Sequence, residues 1–182
     1  IGSEQGIDLG LIRTQELLAA RKIDGSEQYF TRAYEFGYSK SYEETLGIWN
    51  REKVLSDMVW VIRSYQPDVI INRFPPDARA GHGHHAASAV LSIEAFKAAA
   101  DPNRFPEQLK NGVSVWQAKR LVWNIFNFTG APAPKDIKLK FDAGVYSPLL
   151  GKNYGEIGGE ARSMHKSQGE GRPRRKGTFE ES

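Results

Sequence analysis

The run Asp68-Val-Ile-Ile-Asn72 constrains this chain more than any other stretch of comparable length. A continuous β-branched run placed after a helical segment reads as a strand buried in a parallel sheet. Upstream, Trp49 to Tyr65 carries Val54, Met58, Val59 and Ile62 at helical spacing, and the helix must stop before Pro67. Downstream, Arg73 to His82 holds two prolines and a glycine and is loop. The alanine-rich segment His84 to Ala100, with Val90, Leu91, Ile93 and Phe96, is a helix closed by Asp101-Pro102.

Around this kernel the pattern continues. Ile1 to Gly10 reads as a loop, and Leu11 to Ile23 as an amphipathic helix ending near Asp24-Gly25. Glu27 to Arg32, with Tyr29, Phe30 and Thr31, predicts a short strand, and Phe36 to Thr45 a loop. Leu121 to Phe128 and Ile137 to Phe141 predict further strands, and Tyr154 to His165 a last helix. Helix, strand, helix, strand, helix and more strand is the order of an α/β layered domain with a mostly parallel sheet. No strand precedes the first helix, so the sheet is expected to lack a member.

Composition narrows the function classes. The 182 residues suit one domain, and 40% hydrophobic with 26% charged residues excludes a disordered or collagen-like chain. No apolar run approaches the roughly 18 residues of a membrane span. The absence of cysteine excludes disulfides, a thiolate zinc site and a cysteine nucleophile. The net charge of +3 has a local source in Arg172, Arg174, Arg175 and Lys176; without those four it becomes −1. The body therefore offers no basic face for nucleic acid. Residues 169–182 read as a flexible tail. The four tryptophans, Trp49, Trp60, Trp116 and Trp123, read as core.

Three of the four histidines, His82, His84 and His85, stand in GHGHHAAS where the loop after the strand meets a helix. Open α/β sheets bind ligands beyond the carboxyl ends of their strands, so the position suits a site. Imidazole is the commonest metal-binding side chain. The i, i+3 spacing of His82 and His85 lets one ring hold a metal while the other stands beside a reacting atom. Asp77 in the same loop supplies a carboxylate. The plainer reading is a surface patch at a helix start that takes up metal only incidentally. Arg13 by itself reads as a solvated charge, and His165 as a structural residue.

Taken together, IRSYQPDVII, the loop with Asp77 and HGHHAAS resemble the central signature of the PIG-L/LmbE N-deacetylases. LGLIRTQELLAAR is similar to that family's earlier Arg-and-Glu helix, and ARSMHKSQ to its late H-x-SQ element. The GHGHH form, SYEETLGIW and YSPLLGKNYGEI look most like a long-form bacterial branch. The resemblance implies a Rossmann-like fold for residues 1–168 and zinc-dependent hydrolysis of the acetamide of an amino sugar. It implies His85 as zinc ligand, His82 as the catalytic histidine beside the tetrahedral intermediate, and Arg13, Asp77 and His165 as substrate contacts. His84 stands where the family more commonly has Asp, and orienting a neighbour is the role this suggests.

The family's A-H-P-D-D motif does not occur in the sequence. The remaining zinc ligands and the general base are expected from that segment, so the chain reads as an incomplete enzyme, inactive alone. A second reading is a non-catalytic glycan-binding or scaffold module of the same fold. The parent protein is expected to be periplasmic or exported, as long-form relatives often are.

Overall fold

A computed structural model describes residues 6–125, 139–169 and 180–181. The chain divides into two compact units, residues 29–134 and, from both ends of the sequence, residues 1–28 with 135–182. The segment 129–134, Ile137 and the basic cluster Arg172 to Lys176 lie outside the described residues, as do residues 126–128 of the strand expected at 121–128.

The 29–134 unit carries the kernel read from the sequence. Helix α2 spans Tyr42–Ile48, α3 Arg51–Tyr65 and α4 Gly83–Ala98, with the short α5 at Pro106–Leu109. Strand β1, Val69–Asn72, pairs in parallel with β2, Arg120–Trp123, in the register Val69 to Arg120 through Asn72 to Trp123. Helix α3 stops where Gln66 takes a left-handed conformation just ahead of Pro67, and its amide closes on the Ile62 carbonyl. Val54, Leu55 and Val59 of α3 pack against Ala87, Leu91 and Ala95 of α4. The small alanines on α4 let the two helix axes approach closely.

Arg63 ties this packing down from inside. It is 1% exposed and donates to six oxygens: the carbonyls of Ala98, Ala99, Asp101, Arg104 and Phe105, and Gln108 Oε1. The last carbonyls of a helix have no partner within it. At the end of α4 and the turn beyond, backbone amides reach the carbonyls of Ala98, Ala99, Asp101 and Phe105, and the guanidinium adds a second donor to each and reaches the Arg104 carbonyl as well. Gln108 in turn donates to the Ser56 carbonyl at 2.8 Å, joining α5 to α3.

Several expectations are corrected. Glu27 to Arg32 forms no strand; Tyr29 lies edge-on to Tyr65 and Arg32 is held by Asp57, so side chains rather than a ladder fix this segment. The loop expected to Thr45 gives way at Tyr42 to α2, because Ser41 accepts from the Glu44 amide and caps a new helix. β1 is not buried on both faces: Ile70 packs against the core, while Val69 and Ile71 are 46% and 61% exposed. Among the tryptophans, Trp49 is buried but Trp60 is exposed. The one parallel sheet has two strands; the other two sheets of the described residues are antiparallel.

In the other unit α1 runs from Gly6–Asp24, starting within the stretch read as loop. Ile7, Leu11, Ile12 and Leu18 on it are exposed, so its apolar positions form no buried stripe. Strands β3, Phe141–Asp142, and β6, Glu180–Glu181, pair antiparallel, as do β4, Tyr146–Ser147, and β5, Lys152–Asn153. The strand expected over 137–141 is thus described only from Phe141. Helix α6, Tyr154–Arg162, opens on a capping box in which Asn153 and Glu156 exchange bonds.

Candidate active site

The histidine cluster sits where the chain leaves β1 through the loop 73–82 and enters α4. That entrance is held by a close approach. The Gly83 amide donates to the Ser39 carbonyl at 2.8 Å, and Thr45 Oγ1 donates to Ser39 Oγ at 2.8 Å. The segment 38–45 is thereby fastened against the first turn of α4, with Glu44 accepting from the Lys40 amide at 2.8 Å.

His82 is the N-cap of α4, and its Nδ1 lies 3.1 Å from the His84 amide. An amide can only donate, so Nδ1 accepts and the proton of the neutral ring sits on Nε2. His85 is the reverse. Its Nδ1 lies 3.2 Å from the Ala80 carbonyl, which can only accept, so Nδ1 holds the proton and Nε2 keeps a free lone pair. Metal-binding histidines characteristically donate their other ring N–H to a carbonyl or carboxylate in this way. The two rings, 5.3 Å apart between centroids, therefore offer different groups at Nε2: a donor on His82 and a Lewis base on His85. The His85 ring is stacked on Phe74 at 3.8 Å with the planes within 5°.

His84 contributes differently. Its backbone orients His82, whereas its ring stacks on Trp49 at 5.0 Å and meets the edge of Phe36 at 4.4 Å. Burial pushes its pKa below the ordinary imidazole value, despite Glu35 some 3.9 Å away. Its Nε2 is buried with no hydrogen-bond partner among the described residues.

Asp77 lines a cleft with His82, but its carboxylate is already engaged. It accepts from the Arg79 amide at 3.0 Å and pairs with the Arg79 guanidinium at 2.9 and 2.7 Å. That bonded guanidinium holds its carboxyl below the usual carboxylate range. A general base working at neutral pH needs the opposite shift. The cleft, about 400 Å³, is also lined by Tyr38, Lys40, Tyr42 and Glu43, which sequence reasoning passed over; His85 is not in its lining. The signal available was the aromatic and charged text YSKSYEE itself.

Arg13 and His165 belong to the other unit. There Glu16, one turn beyond Arg13 on α1, accepts from the Ser167 amide at 2.6 Å and from its hydroxyl at 2.7 Å. The bond from the Ser167 amide draws the Glu16 carboxyl pKa down, and His165 and Arg13 lower it further. The Arg-and-Glu helix and the H-x-SQ element are thus joined directly. Arg13 Nε and Arg162 Nη1 are buried without hydrogen-bond partners among the described residues.

The GlcNAc-PI de-N-acetylase (PIG-L) family model matches residues 2–96, just over half of the chain. The chain belongs to the PIG-L family. The matched stretch contains Arg13, Asp77 and all three clustered histidines, and ends before His165. No curated protein matches the chain. PIG-L proteins have an α/β fold and are de-N-acetylases acting on N-acetylated sugars, commonly with zinc. In this PIG-L chain no three His, Asp or Glu side chains gather as metal donors among the described residues. No helix of the described residues is long and apolar enough to cross a membrane.

Proposed function

We propose that this PIG-L chain contributes the His82–His85 half of a zinc-dependent N-deacetylase acting on an N-acetylated amino sugar. The opposite Nδ1 partners of His82 and His85 carry the reading. His85, with Nε2 unprotonated, fits a zinc ligand. His82, with Nε2 protonated in the neutral ring, fits a donor to the oxygen of the acetamide as negative charge develops on it. It needs no second proton for that task, so the imidazolium is not required at the start of the reaction.

Zinc, when bound, would acidify water toward a pKa of about 7. A catalytic zinc usually has three protein ligands, of which His85 is one; the family resemblance implies the others from an A-H-P-D-D motif that this sequence does not contain. By itself the 182-residue chain is expected to bind zinc weakly and to turn over no substrate. Asp77, paired with Arg79, serves as a substrate contact and not as the base; for Arg13 and His165, in the other unit, a substrate-contact role rests on the family resemblance alone. We also take β1, α4 and β2 as the kernel of a Rossmann-like layered sheet.

The test is zinc content and kinetics in the zinc-loaded full-length protein. His85→Ala should lose metal and activity together. His82→Ala should keep metal and lose about 10²–10³ in turnover, the usual cost of one donor to a developing oxyanion. If His82→Ala loses zinc as completely as His85→Ala, the division of roles is wrong.

A further inference from the structure

We propose that Tyr38 is the specificity-determining residue of this site, the ring against which the sugar of the substrate packs while His82 meets its acetamide. The inference rests on the deacetylase reading for its choice of a sugar. Tyr38 lies edge-on to His82, with 5.1 Å between ring centroids and 72° between planes. Both line the same cleft. Yet Tyr38 is 70% exposed. A large aromatic ring that contributes little to a core, and stands beside a histidine primed to donate, has a face available for a ligand.

The surroundings select the ligand class. Binding clefts for small molecules hold roughly 300–1,000 Å³, and this one, at about 400 Å³, suits a compact ligand of one or a few rings. Its polar lining is mixed in sign: Lys40, Glu43 and the Arg79-paired Asp77. Tyr42 packs against the core cluster, which leaves its ring as wall. A neutral, hydroxyl-rich ligand with one flat C–H face answers to this lining; a polyanion or an alkyl chain does not. The tyrosine ring supplies the apolar surface for that face and keeps its own hydroxyl wet.

Placement is also rigid. The chain directly after Tyr38 is fixed by the Ser39–Gly83 and Lys40–Glu44 bonds, which tether the backbone that carries the ring beside His82. Substrate held in this way arrives already oriented, which is where positioning residues act on rate.

The experiment titrates the 182-residue protein with methyl N-acetyl-β-glucosaminide, read by ligand-observed NMR. Binding is expected, with saturation transferred to the sugar ring protons. Tyr38→Phe should bind as the parent does, and Tyr38→Ala and Tyr38→Leu should each weaken binding about 3- to 10-fold. An exposed ring is removable without unfolding the unit, and unchanged near-ultraviolet dichroism should accompany each variant. Equal affinity in Tyr38→Ala, or no sugar binding by the parent, overturns the proposal. Sugar binding that depends on Tyr38, together with no hydrolysis by the zinc-loaded full-length protein, sinks the deacetylase reading and leaves this one standing.

Discussion

Gly83 and Ser39 meet too closely for any other residue at position 83: a Cβ placed there would lie 2.3 Å from Ser39 Oγ and 2.3 Å from the Ser41 carbonyl oxygen. One of those neighbours is backbone and cannot swing away. Gly83→Ala should therefore push 38–45 off the start of α4, at about 1–3 kcal/mol or more. A lowered urea midpoint at unchanged slope would register the cost. An unaffected midpoint would show that the contact gives way without strain.

Arg63 should tolerate little. Arg63→Ala leaves the Arg104 carbonyl and Gln108 Oε1 without their donor, while the carbonyls of Ala98, Ala99, Asp101 and Phe105 keep a backbone amide. At about 1–3 kcal/mol for each stranded group, it is expected to lower stability by about 2 kcal/mol or more. Arg63→Lys restores three donors and should fall between. Denaturant curves give the order. Equal loss in both variants would mean that the planar fork, and not the number of donors, is what matters.

Phe74 holds the plane of the His85 ring by stacking. Phe74→Ala should leave the Ala80 bond to Nδ1 but free the ring to tilt, and zinc affinity in the metal-loaded full-length protein should fall about 10- to 100-fold. Competition with a chromophoric chelator measures this. Unchanged affinity would confine Phe74 to packing.

Acid should loosen the clasp between Arg32 and Asp57. The bonded Arg32 guanidinium lowers the Asp57 pKa below its usual 3.8, so the folded state binds its proton later than the unfolded chain does. The pair's contribution is therefore complete above about pH 4 and lost as pH falls through the lowered value. Arg32 is largely solvated, so solvent screening keeps the loss small. Asp57→Asn should flatten the stability profile in that window alone. A profile identical to the parent's would contradict the assignment.

The order of α3, β1 and α4 was legible because each carries a period or a run that only one kind of element explains. Ser41-Tyr-Glu-Glu44 also held a readable signal, a cap followed three residues later by Glu, which marks the start of α2. The segment 27–32 misled because aromatic and β-branched residues favour strands only where a neighbouring strand supplies the ladder. At the site, GHGHH announced the histidines but not their proton positions. Those depend on the Ala80 carbonyl and the His84 amide, main-chain groups that no side-chain pattern encodes.

That dependence separates two kinds of inheritance in this fold. Proton placement on His82 and His85 is written in backbone, which point substitution of neighbouring side chains leaves intact. The cleft wall at 38, 40, 42 and 43 is written in side chains whose chain path is held from outside by Gly83 and Glu44. A library randomised at those four positions would sample ligand choice while the two rings kept their assigned tautomers, and new selectivities could accumulate without the acid–base apparatus being rebuilt each time.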